Sequence, residues 1–136
     1  MSELGHANSF RDLLVYRKAC LITKEIFELS KAFPKEEMFA LTDQVRRSSR
    51  SIGAQIAEAW AKRRYQKHFI SKLTDADGEQ LETQHWIDTA RDCGYLTSTQ
   101  AAKLNSELSE IGRMFGSMIK KADQFCGVNE VESIYS

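Results

Sequence analysis

The chain has 136 residues, 42% of them hydrophobic and 28% charged, which is enough for one compact domain and too little for two. One proline and 7 glycines exclude a sandwich or barrel, which needs a turn signal every ~8–12 residues. The 19 basic and 19 acidic side chains cancel, and a neutral sum neither predicts nor forbids an anionic partner.

The distribution of that charge is more telling. Residues 1–45 carry six basic and seven acidic side chains, residues 46–72 eight and one, and residues 73–136 five and eleven. A strongly basic middle block therefore lies between acidic flanks. Cys20, Cys93 and Cys126 are widely spaced and fit no CxxC pattern, so they read as reduced thiols in a cytosolic protein. The start MSELGHANSF shows no basic stretch leading into an apolar one, and no run approaches the ~18 apolar residues of a membrane span.

In chain order, residues 1–9 read as a disordered start, and Ser9 with Asp12 resembles a capping box opening the first helix. Val15, Ala19, Ile22, Ile26, Leu29 and Phe33 follow at alternating spacings of four and three, one apolar stripe ended by Pro34. The second helix starts near residues 35–38 and carries Leu41, Val45, Ile52 and Ile56. Ser48, Ser49, Gly53 and Ala54 interrupt its stripe, which predicts close helix approach. The third starts at 64–67, turns Phe69, Leu73, Ala76, Gln80, Ile87 and Ala90 inward, and ends at Gly94. The fourth begins at Ser98 or Thr99 and carries Ala101, Leu104, Leu108, Ile111, Phe115, Met118, Ala122 and Phe125 before Gly127. Residues 128–136 read as a disordered tail. Four such helices with short connections predict an all-α fold over residues 10–127, an antiparallel up-down-up-down four-helix bundle.

Chemistry-bearing clusters are sparse. Glu82-Thr83-Gln84-His85 has the Glu-x-x-His spacing of di-iron bundles, but such a site needs a second copy on another core helix. The other copy, Glu3-Leu4-Gly5-His6, falls in the start. His68 reads as a surface side chain, and Ser48, Ser49 and Ser51 lack a patterned His and carboxylate. Gly112 and Gly116 lie inside the fourth helix and suit close helix packing better than a phosphate loop.

The basic block is the strongest signal. Arg46, Arg47 and Arg50 share one side of the second helix by their i,i+3 and i,i+4 spacings. Lys62, Arg63, Arg64 and Lys67 follow in the turn, with Tyr65, His68 and Phe69 interleaved. Two readings stay open: a cationic and aromatic surface for RNA, or a charged face compensated by the acidic helices. Trp60 extends the core stripe, whereas Phe39, Leu81 and Trp86, with Tyr16, lie partly outside the seams. Apolar residues surplus to one interior predict an oligomer interface at Phe39, Leu81 and Trp86.

Leu41-Thr42-Asp43-Gln44, Ser51-Ile52-Gly53, Ile56-Ala57-Glu58 and Gly94-Tyr95-Leu96 together resemble the four-helix-bundle family of proteins encoded in intervening sequences of bacterial 23S ribosomal RNA genes. Relatives of that family accompany diversity-generating retroelements. The resemblance, over roughly residues 10–122, implies a bundle that assembles into a ring-like homopentamer without enzymatic activity. In the retroelement branch it implies a reverse transcriptase and nucleic acid as partners of the basic surface. Gln55, Ala59 and Glu79 stand where the family usually has Asn, Gly and Ser.

The function expected is therefore a non-enzymatic, oligomeric bundle that binds RNA or a nucleoprotein through the basic block, with no cofactor and no small-molecule substrate identified. The alternative is a homo-oligomeric association scaffold, and a metal-binding bundle is a distant third.

Overall fold

The computed structural model of the chain describes residues 7–126. Four long helices make up most of it: α1 (Leu14–Ser30), α2 (Leu41–Ala61), α3 (Gln66–Asp92) and α4 (Ser98–Lys120), followed by the single turn α5 (Ala122–Phe125). No strand occurs among the described residues. Each long helix packs on the next and α1 also meets α4, which closes the ring of an up-down-up-down bundle. No helix among the described residues is long and apolar enough to cross a membrane.

The start of α1 differs from expectation. Ser9 does form a capping box, its hydroxyl accepting from the Arg11 N–H and its own N–H donating to the Asp12 carboxylate at 3.2 Å. The box opens only a 3-10 turn over Phe10–Asp12, because Leu13 is extended at ψ 131° and turns its side chain into the core before α1 begins. Residues 1–6 of the expected disordered start, residue 127 and the whole expected tail 128–136 lie outside the described residues. Residues 7–9 are described, with Ala7 packed against the core.

α1 ends at Ser30, short of Phe33, because the residue before Pro34 is pushed away from helical geometry. The chain leaves through i→i+3 bonds from Ala32 to Leu29 and Phe33 to Ser30. Ser30 is buried in consequence, while Leu29 and Phe33 are half-buried. Likewise Lys35–Glu37 form a separate 3-10 turn and α2 starts only at Leu41.

The small residues of α2 sit where helices touch. The Thr83 hydroxyl of α3 donates to Ser48 Oγ at 2.9 Å, and the Thr23 hydroxyl of α1 donates to the Ser49 carbonyl at 3.0 Å. All six expected inner residues of α3 and all eight of the stripe from Ala101 to Phe125 are buried. Gly94 has φ +81°, the left-handed geometry that ends α3 and favours glycine. Thr97 and Gln100 form the capping box of α4. The fourth stripe is not one continuous helix, since Lys121 (φ −106°, ψ 25°) separates α4 from α5. Gly112 meets the close packing expected, but nothing lies within 4 Å of a Cβ added at Gly116, so Gly116 faces open space.

Candidate nucleic-acid interface

Phe27 lies one residue beyond the α1 core stripe, on the side that faces α2. The Arg46 guanidinium is 4.6 Å from the centre of its ring and the Arg50 guanidinium 5.6 Å, with Lys31 Nζ at 4.9 Å. Arg46 is pinned further by its Nε–H, which donates to Ser30 Oγ at 2.8 Å. The i,i+4 spacing thus brings two arginines onto one aromatic ring, an attraction that orders the guanidinium groups without neutralising them.

Arg47 takes a different direction. It pairs with Glu82 of α3 at 2.9 Å and donates to Gln44 Oε1 at 3.2 Å. The same Glu82 oxygen accepts the Trp86 indole N–H at 3.2 Å. Glu82 of the Glu-x-x-His pair is therefore engaged by Arg47 and Trp86, and His85 is exposed beside the Trp86 ring. Among the described residues no group of three or more His, Cys, Asp or Glu side chains is placed to hold a metal ion. Arg46, Arg47 and Arg50 nonetheless border one open hollow of about 550 Å³ on the outer side of α2.

The turn after α2 carries a second cluster. The Arg63 guanidinium stacks 3.5 Å from the centre of the Trp60 ring, and its Nε–H donates to the Trp60 carbonyl at 2.9 Å. Burial there pulls its pKa below the ordinary arginine value. The Arg64 guanidinium is 6.0 Å from the Tyr65 ring, and Lys62, Lys67 and His68 are exposed. Arg50 lies within α2, whereas Arg63 lies in the turn two residues past its end at Ala61, so about 17 Å of helix at 1.5 Å per residue separates Arg50 from that turn. The block that is continuous in sequence is two clusters in space.

Compensation by acidic helices reaches only part of it. Arg47 pairs with Glu82, and Lys72 with Glu58 at 3.5 Å and Asp75 at 3.9 Å. Among the described residues Arg46, Arg50, Lys62, Arg63 and Lys67 make no ion pair with a carboxylate.

Of the three apolar residues expected at an interface, Phe39 is 92% exposed and Leu81 54%. Trp86 is not exposed in the same way: it is half-buried against the core, its indole tied to Glu82. Leu21, at 69%, is a further exposed apolar side chain, and its position off the α1 stripe is the signal for it in the sequence. Phe27 and Ser30 were missed as partners of the arginines, because neither carries charge.

A helical bundle that carries cations on aromatic rings is the class these features define. The model of the family described as 23S rRNA-intervening sequence protein matches residues 11–117, and the chain belongs to that family. A solved structure of similar fold, TM-score 0.72, is a protein with unknown function from the S23 ribosomal protein family of Bacteroides thetaiotaomicron VPI-5482. It is 31% identical, and the match covers 79% of this chain and 99% of that one. No curated protein matches.

Proposed function

We propose that this chain is a non-enzymatic, oligomeric bundle of the cytosol that binds RNA, alone or within a nucleoprotein, through Arg46, Arg47, Arg50, Lys62, Arg63, Arg64 and Lys67. The observation that carries the reading is the set of guanidinium groups on Phe27 and Trp60, those of Arg46, Arg50 and Arg63, which have no carboxylate partner among the described residues. Stacking fixes the plane of an arginine and leaves its N–H edge for a phosphate, which it can engage through two parallel bonds. Two clusters, one along α2 and one in the turn after it, can contact separate stretches of one polyanion, and a ring-like homopentamer would repeat them, raising avidity without new contacts.

The second reading, an association scaffold, is favoured by the exposure of Phe39. A titration of structured and single-stranded RNA at two salt concentrations separates the two. Each phosphate neutralised contributes about −0.9 to the slope of log affinity against log salt on a duplex and about −0.7 on single strands. The Arg46/Arg50/Arg63/Arg64 to Ala variant, at unchanged thermal stability, is expected to abolish binding. If variant and wild type bind alike, or neither binds at low salt, the basic block belongs to assembly and the scaffold reading takes the lead.

A further inference from the structure

A second hollow, about 340 Å³, runs along the contact of α1 with α2 on the other side of Arg50. Its size falls within the roughly 300–1,000 Å³ of small-molecule sites. Tyr16 and Phe27 lie toward its two ends on α1, about three helical turns apart. Ala19, Gly53 and Ala54 give it small apolar walls, and among the described residues Lys24 and Arg50 bring the only charges that line it. Among the described residues no carboxylate lines it. The Tyr16 ring is held by an edge contact with Phe10, centroids 4.9 Å apart and planes at 82°. Gly53 keeps the floor open: a Cβ there would lie 3.5 Å from the Tyr16 ring, and a longer side chain would extend into the space.

We infer that this hollow seats an unpaired RNA base against Tyr16, with the adjoining phosphates on Arg50 and Lys24. The inference rests on the RNA-binding reading and narrows it to unpaired strands. An aromatic wall beside cations is the arrangement by which proteins hold single strands, since every base offers a face for stacking. A paired helix keeps its bases in the stack and presents mainly backbone, so it can reach the arginines but cannot fill the hollow. Arg50 lines both hollows. A strand leaving the Tyr16 hollow therefore passes Arg50 into the one bordered by Arg46 and Arg47, with exposed Phe39 also on its border.

The test uses Gly53→Leu, which fills the hollow and removes no charge, with Gly53→Ala as a control that adds only a methyl group. Affinities for oligouridine and for a blunt RNA duplex of equal length are measured by fluorescence anisotropy, with thermal midpoints of all three proteins. Gly53→Leu is expected to weaken oligouridine binding about tenfold, in keeping with the loss of one stacked base. Duplex binding is expected to stay unchanged, and Gly53→Ala to bind as wild type. Equal losses on both RNAs, or no loss on oligouridine, overturn the inference while leaving the arginine surface standing. A second readout is independent of strand binding: exposed Cys20 lines the hollow, whereas exposed Cys93 lies beyond the end of α3. Uridine 5′-monophosphate is expected to slow iodoacetamide alkylation of Cys20 and not of Cys93. If wild type binds neither RNA the broader reading fails, and unprotected Cys20 then removes the base site as well.

Discussion

Gly112 and Gly116 are one helical turn apart on α4, yet a methyl group at each meets different surroundings. At Gly112 it would lie 2.7 Å from Gln80 Nε2 and 3.1 Å from Asp77 Oδ1. Gln80 is buried, donates to Asp77 at 3.0 Å and accepts from Gln84 at 2.8 Å. Displacing that amide strains both bonds, and leaving a buried polar group unsatisfied costs about 1–3 kcal/mol. The gain in helix propensity from Gly to Ala, about 1 kcal/mol, offsets only part of this. At Gly116 the space is empty and only the propensity gain remains. Gly116→Ala is expected to stabilise the fold by about 0.5–1 kcal/mol, and Gly112→Ala to destabilise it by about 1 kcal/mol, both read from urea midpoints. A stabilised Gly112→Ala would show that Gln80 moves aside freely.

Between elements, one bond ties the turn before α2 to the connection after α3. The Tyr95 hydroxyl donates to Glu37 Oε2 at 3.0 Å, and this bond, with some burial and the carboxylate charge, pushes the phenol up to about 12. A folded pKa above the unfolded value of about 10 means stability that is fully present below pH ~10 and lost as pH rises through ~12. Wild type and Tyr95→Phe should therefore differ in thermal midpoint near neutral pH and converge by about pH 12. A gap that persists at high pH would mean that the tyrosine contributes by ring packing, its ring being 5.6 Å from Phe33. The elements themselves were largely legible, because the stripe of the fourth helix repeats every three or four residues and each of its members is buried. Thr83 is not legible as an inner residue, since its polarity hides a burial that the bond to Ser48 makes tolerable. At the site, local spacing brought Arg46 and Arg50 together correctly. It could not supply Phe27, whose meeting with them depends on how α1 is rotated against α2. Nor could it turn Arg47 toward Glu82, which is 35 residues away in sequence and set by the register of α2 on α3.

For the molecule as a whole, the four inward stripes fill the interior and leave Phe39, Leu21 and Leu81 at 92%, 69% and 54% exposure. Side chains of this kind in excess of one core commonly mark association surfaces, and they are the physical motive for the oligomer proposed above. Light scattering at micromolar concentration is expected to give a multiple of the chain mass. Phe39→Ser combined with Leu81→Ser should reduce that multiple while leaving the circular dichroism of the helices unchanged, because neither residue belongs to the buried core. Loss of assembly should also weaken RNA binding more than the removal of two neutral side chains accounts for, since arginine clusters linked in one particle share a high effective concentration on a polyanion. A wild-type protein with the mass of one chain would remove the ring and the scaffold reading together. The arginines on Phe27 and Trp60 would then have to hold RNA within a single bundle, and the salt slope, set by the phosphates one chain can reach, would be correspondingly shallow.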